Sequence, residues 1–273
     1  MPAPLLALPS HLPPAKAAVL ELTVLAFHLL LYPTGVTQER HAPAGPPPPG
    51  PGAPGPGIPR PAPPPVVLLH GFVDNRSAFV LLRRTLSGAG RRVEALNYSP
   101  FTRDLRTAAE QLARHVEDVR ARTGHTRVDL VGHSLGGLVA RYYVQRLGGE
   151  RHVRTVITLG TPHHGTSAVP LLGDLHPLVR QIRPGSRLLR ELDAPAPGCR
   201  TRFVTFWSEL DPWMAPAETA CLNHPDLLAV PVRVTGIGHL ALPVHPAVTA
   251  RVQEELAGPS TALGGGSASV SVA

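Results

Sequence analysis

The sequence predicts an α/β fold: a mostly parallel sheet with helices on both faces. Three observations carry this reading. Short runs rich in β-branched and apolar residues alternate with helix-length amphipathic segments between residues 66 and 257. The short runs are apolar throughout rather than alternately apolar and polar, as strands buried on both faces must be. At one strand-to-helix junction stands Gly132-His133-Ser134-Leu135-Gly136, a turn built so that a serine hydroxyl stands clear of the carboxyl edge of a sheet.

The elements follow in order. "VVLLH" (66–70) reads as a buried strand, and a helix over 77–88 follows, with Asn75 or Ser77 able to cap it. "RVEALNY" is the next strand. Over 103–122, Leu105, Ala109, Leu112 and Val116 share one helical face, while Arg103, Arg106, Arg114 and Glu117 lie off it. "RVDLVGH", a helix over 135–147, and the strand "VRTVITLG" (153–160) come next, then the later strands "RFVTFWS" (202–208) and "VPVRVTG" (230–236). The last helix spans 246–257, with Pro246 in its first turn. Residues 161–198 break this rhythm. They are rich in Pro, His and Leu, with short helices predicted near 168–176 and 185–193, and read as a lid or cap inserted after a strand.

Around this domain (66–257) lie three other zones. Residues 1–42 hold an apolar stretch from Ala17 to Tyr32, 16 residues long, shorter than the ~20 that cross a bilayer unaided. It reads as a membrane signal or anchor, which implies a secreted or extracytoplasmic, membrane-associated protein. The competing reading is a helix packed on the domain with Glu21 and His28 facing water. Residues 43–65 contain 13 prolines and 5 glycines and form an extended spacer. If the spacer merely tethers, removing residues 1–60 leaves the chemistry intact. The tail, 258–273, is small and polar and is expected to be disordered.

Of the 273 residues only one is lysine, Lys16, so the net charge of +7 is carried by arginine. No basic run with interleaved aromatics points to nucleic acid. Cys199 and Cys221 form no C-x-x-C, and no Cys/His cluster has metal-ligand spacing.

A serine hydroxyl becomes a nucleophile only when a base takes its proton, and that base needs an acid to set its tautomer. Ser134 is the candidate nucleophile. His239, between Gly238 and Leu240 after the strand 230–236, is the favoured base, with His163 and His164 as rivals; the His133 side chain should point away from that of Ser134. Asp211, after the strand 202–208, is the favoured acid, with Glu209, Glu218 and Asp226 as rivals. The chain order Ser134, Asp211, His239 suits an α/β sheet of this kind. The developing oxyanion needs two preorganised N–H donors. Leu135, directly after the nucleophile, offers one, and Phe72 in "HGF" after the first strand offers the other.

Four segments in order, "VVLLHGF", "VDLVGHSLGGLVARYYVQRLGG", "VITLGTPHHGT" and "GIGHLAL", resemble the bacterial lipase/esterase group of the α/β-hydrolase superfamily, and most of all its small triacylglycerol lipases. The resemblance covers about 66–257. It implies an α/β-hydrolase fold and a serine hydrolase acting on lipid or other small acyl esters without an organic cofactor. It implies Ser134 as nucleophile, Asp211 as acid and His239 as base, with Phe72 and Leu135 as oxyanion donors. Some members bind calcium, but no ligand set for it can be matched in this sequence. Some carry a disulfide near the acid and base, which here implies a bridge between Cys199 and Cys221. The acyl pocket is expected to be aliphatic, drawn partly from 161–198. Two other functions share these residues: a thioesterase or acyltransferase on the same triad, and a membrane-tethered binding protein that keeps the fold without the chemistry.

Overall fold

The computed structural model describes residues 14–37, 62–72, 74–99, 102–168, 176–258 and 268–270. Its strands are β1 (Val66–Leu69), β2 (Val93–Leu96), β3 (Val128–His133), β4 (Val153–Leu159), β5 (Arg202–Ser208), β6 (Leu228–Val234) and β7 (Ala268–Val270). All pair in parallel, in the order β2-β1-β3-β4-β5-β6-β7. The helices are α1 (Pro14–Gly35), α2 (Val80–Gly88), α3 (Leu105–Thr123), α4 (Leu135–Arg146), α5 (Pro177–Gln181), α6 (Arg187–Asp193) and α7 (Pro246–Ala257).

Because strand side chains alternate between faces, each strand supplies both sides of the sheet. Val67, Leu69, Leu130, Val156 and Phe203 pack on one side with α3, α4 and α6. Val66, Leu68, Val131, Ile157 and Val204 pack on the other with α2 and α7. The chain leaves β1 outward to β2 and then returns to place β3 on the opposite side of β1. The strand order therefore reverses between β1 and β3. The crevice at their carboxyl ends is where ligands bind in open α/β sheets.

Local sequence explains the boundaries. The second helix enters through a 3-10 turn, Arg76–Phe79, whose Ser77 N–H is accepted by the Asn75 side chain at 2.9 Å. Asp104 caps α3 in the same way, and Gly124 ends it at φ 72°, a conformation that costs glycine little.

Several expectations need correction. The first short helix expected in the insertion, at 168–176, falls almost wholly on residues 169–175, which lie outside the described residues; a short helix that was not expected follows at Pro177–Gln181. Pro177 suits a first helical turn, and the His176 ring accepts the Leu178 N–H. The second helix, α6, falls within the expected span. The tail is not wholly irregular: Ala268–Val270 pairs with β6 and covers what would be an open sheet edge. The rest of the tail beyond Gly258, and 43–61 of the spacer, lie outside the described residues.

Cys199 and Cys221 are free thiols, not a disulfide. Cys199 neighbours Thr201 and Glu150, near the amino ends of β4 and β5. Cys221 lies beside His164, beyond the carboxyl end of β4. A strand of seven residues separates those ends by roughly 20 Å, whereas a disulfide needs Cα atoms within about 7 Å.

The apolar N-terminal segment is a helix packed on the domain, but not with the face expected. Val24 joins the core on the α2 and α7 side, and Glu21 and His28 turn inward, not toward water. Val19, Leu22, Leu29 and Leu30 point outward and are 64–74% exposed. The end of α1 is held by three side chains of the domain. Asn75 donates to the Tyr32 carbonyl, Asn97 to that of Gly35, and Arg76 to those of Thr34 and Thr37.

Candidate active site

Five of the expected residues come from loops at the carboxyl ends of neighbouring strands: Phe72 after β1, Ser134 and Leu135 after β3, Asp211 after β5 and His239 after β6. Ser134 has φ 52° and ψ −120° and is the one non-glycine residue at positive φ among those described. A side chain held in such a conformation stores of order 1–3 kcal/mol, and surrounding contacts must hold it there. Its N–H donates to the Leu159 carbonyl at 2.9 Å, and its own carbonyl accepts from the Thr161 hydroxyl at 2.9 Å and the Gly137 N–H at 3.1 Å.

The glycines on each side of the serine have steric reasons. A Cβ on Gly136 would lie 2.2 Å from the Leu69 carbonyl oxygen, and one on Gly132 would lie 2.5 Å from the Gly137 nitrogen. Both obstacles are backbone, so neither can step aside. The turn thus brings β3, α4 and the end of β1 closer together than any side chain allows.

His239 and Asp211 are 5% and 4% exposed, and His239 Nδ1 lies 2.7 Å from Asp211 Oδ2. The other carboxylate oxygen accepts the Trp213 N–H at 2.9 Å. An ionised carboxylate only accepts, so Nδ1 carries the proton and Nε2 is left with its lone pair. Gly160, next to the Leu159 that holds the Ser134 backbone, stands against this pair. A Cβ there would meet Asp211 Oδ2 and His239 Nδ1 at 2.9 Å. The end of β4 therefore has Ser134 on one side and the Asp211–His239 pair on the other.

Four of the rival residues, His163, His164, Glu209 and Asp226, have partners elsewhere. His163 is buried, its Nε2 is 3.0 Å from the Thr158 hydroxyl, and burial keeps its pKa well below the ordinary histidine value. The His164 ring is bonded to the Cys221 backbone, and its main-chain N–H to the Thr219 carbonyl. His133 holds His239 from behind: its Nε2–H donates to the His239 carbonyl at 3.2 Å, with ring centroids 4.7 Å apart. Glu209 pairs with Arg233, and Asp226 accepts the Ala196 N–H.

The side expected to hold an oxyanion has two features. Leu135 begins α4, so its N–H is one of those that a helix leaves without an intrahelical acceptor. Gly71 lies against Ser134, where an added Cβ would be 3.3 Å from Ser134 Cβ, and this puts Phe72 at the rim. The loop is fixed by His70, whose part the sequence did not reveal. Its Nε2 accepts the Tyr98 N–H at 3.3 Å, so its Nδ1–H donates to the Gly71 carbonyl at 2.9 Å. The Tyr98 ring stacks on it at 4.1 Å, and the Tyr98 hydroxyl donates to the His70 carbonyl.

Burial pushes the His70 pKa down to about 4. The folded state therefore binds fewer protons than the unfolded chain between about pH 4 and the unperturbed 6.5. The stability that neutral His70 supplies is complete above the upper limit and is lost as pH falls toward the lower one. Burial lowers His133 and His163 in the same direction. We expect Tm to fall on acidification across this window, with about 3 kcal/mol attached to His70. A pH series of thermal melts should be flatter for His70→Asn than for wild type, and equal slopes would contradict this account.

The side chains beside the site include aromatic rings, where an aliphatic lining was expected. Phe72 meets His176 edge-on at 4.9 Å, and Trp213, 44% exposed, lies 6.3 Å from the His239 ring. A surface cavity of about 480 Å³ between α3 and α4, lined by Arg114, Glu117, Tyr143 and Arg151, sits by the approach to β4, at the other end of the sheet from Ser134. Among the described residues no group of three or more His, Cys, Asp or Glu side chains is placed to hold a metal.

Comparison with known proteins agrees with this architecture. Residues 64–183 match the family model described as alpha/beta hydrolase fold. A stretch of 119 residues is 35% identical to triacylglycerol lipases of Pseudarthrobacter phenanthrenivorans and Burkholderia plantarii. Each match covers 41% of this chain, and the chain spans only 37% and 33% of those relatives. Among solved structures, the mature lipase BlEst2 of Bacillus licheniformis superposes with a TM-score of 0.61 at 19% identity, covering 73% of this chain and 94% of that one. Lipase B of Aspergillus fumigatus gives 0.63 at 18% identity, covering 86% and 67%. With a parallel sheet in this order and a strained serine turn after β3, the chain has the α/β-hydrolase fold.

Proposed function

We propose that the protein is a serine carboxylic-ester hydrolase of the lipase/esterase type, acting on acyl esters and most naturally on acylglycerols. The observation that carries this reading is the buried 2.7 Å contact between Asp211 and His239, set beside a serine at φ 52°. Ser134 Oγ attacks the acyl carbonyl while His239 Nε2 takes its proton. The N–H groups of Leu135 and Phe72 stabilise the oxyanion. As the intermediate collapses, the ester C–O bond breaks and the imidazolium returns its proton to the leaving alcohol. Water, activated by the same imidazole, then releases the acid and restores Ser134. The names of the sequence relatives, both triacylglycerol lipases, support the substrate class. So does α1, whose Lys16–Gly35 segment of 20 residues has a mean hydropathy of 1.6 and turns its apolar side outward. That outward apolar side supports the reading of an enzyme that works at a lipid surface, on the extracytoplasmic side.

Hydrolysis of p-nitrophenyl esters of increasing acyl length by the full chain tests the reading. Turnover with an optimum at medium or long chains supports a lipase, and one at short chains supports an esterase. No turnover at any length, or transfer to an alcohol in preference to water, would overturn it. Co-sedimentation with lipid vesicles tests the membrane placement, and protein left wholly in the supernatant would contradict it.

A further inference from the structure

Glu21 is 219 residues from Leu240 in sequence, yet its carboxylate grips the loop that carries His239. Oε2 accepts the Leu240 N–H at 2.9 Å and Oε1 accepts the Ala241 N–H at 3.0 Å. These two N–H groups open a turn in which the Leu242 N–H bonds back to the His239 carbonyl, and those of Val244 and His245 to the Ala241 carbonyl. The start of such a turn leaves donors unmet, as a helix N-terminus does. Within the loop nothing else of α1 is needed to satisfy them. The site is shaped for the carboxylate: a Cβ on Gly238 would lie 2.6 Å from Glu21 Cδ. Farther along the same helix, His28 Nδ1 lies 4.0 Å from Asp74 Oδ2, and Asn75 donates to the Tyr32 carbonyl. Asp74 and Asn75 follow the loop that holds Phe72. One helix therefore ties the loop of the base to the loop of the expected oxyanion donor.

We propose that Glu21 is a positioning residue for ester hydrolysis, holding His239 in register with Ser134, and that α1 is a working part of the hydrolase rather than a detachable tether. This rests on the serine-hydrolase reading above. His239 is held on three sides. Asp211 fixes its ring, His133 fixes its carbonyl, and Glu21 fixes the backbone immediately after it. Rates in such sites are sensitive to displacements of an ångström or less. With Glu21 in this place, removal of residues 1–60 no longer leaves the chemistry untouched, contrary to the expectation from the sequence.

The test uses the full chain with Glu21→Ala and the near-isosteric Glu21→Gln, which keeps one acceptor oxygen. The kinetics are expressed per active site counted by exhaustive phosphonylation, so that a loss of folded protein does not count as a loss of rate. We expect kcat to fall about tenfold in Glu21→Ala and less in Glu21→Gln, with KM changed by no more than about twofold. A purely structural contact would lower the count of active sites or Tm and leave kcat per site at the wild-type value, and that result would overturn the proposal. Ser134→Ala, measured alongside, separates the two claims. If it is inactive while Glu21→Ala and Glu21→Gln turn over like wild type, only the role of Glu21 fails. If Ser134→Ala retains full activity, the serine-hydrolase reading fails and the role of Glu21 falls with it.

Discussion

Replacing Ser134 with alanine is expected to lower kcat for p-nitrophenyl ester hydrolysis by on the order of 10⁴–10⁶, with little change in KM. The attacking atom is gone, while the neighbouring N–H groups and the base remain, so a small residual rate over water should persist. Stability should separate from activity at this position. Ser134 sits at φ 52°, so alanine inherits the strain and its Tm should stay near that of wild type. Ser134→Gly relieves the strain at some cost in unfolded-chain entropy, for a net gain of about 1 kcal/mol. Its Tm should therefore rise while activity disappears. A Ser134→Ala protein with the wild-type rate would remove Ser134 from the mechanism.

Asp211→Asn should be nearly as damaging, with kcat down by about 10⁴. The reason is tautomeric. Asp211 Oδ2 accepts from His239 Nδ1, which leaves Nε2 free to take the serine proton. An amide at this place can present its NH₂ to Nδ1, which moves the imidazole proton to Nε2 and leaves no base facing the nucleophile. Because the shape is conserved, Tm and KM should change little. The measurement is kcat and KM across pH. Some rate should return at high pH, where the competing proton is more easily lost. Retention of full activity at neutral pH would shift the acid to another carboxylate. Glu209, committed to Arg233, and Asp226, committed to the Ala196 N–H, are poorly placed for that role.

The serine turn was legible because its determinants are local. Gly132 and Gly136 are required by backbone contacts within the turn and with the end of β1, and a strand-to-helix junction can be recognised from periodicity alone. The pairing of Asp211 with His239 was legible through chain order and through their places just beyond predicted strands. The sequence shows His70 only as the end of a strand; its bond to the Tyr98 N–H connects segments distant in sequence, which no local pattern encodes. The pairing of Cys199 with Cys221, implied by the resemblance, failed because the two sit toward opposite ends of the sheet. The N-terminal helix shows the same limit more sharply. Spacing put Glu21 and His28 on one face, which the structure bears out. Which face the domain would cover depended on unmet N–H donors some 220 residues away. A polar pair on an apolar helix suggests water until a partner for it is known.

The central claim, that Ser134 is the residue made nucleophilic by the Asp211–His239 pair, is tested most directly by covalent capture. The full chain is treated with a fluorophosphonate, and the adduct is located by peptide mass spectrometry. The account predicts one adduct per chain, on the peptide containing Ser134, formed in step with loss of ester hydrolysis and greatly slowed in Asp211→Asn. Hydrolysis that continues without an adduct, or an adduct on a different residue, would contradict it.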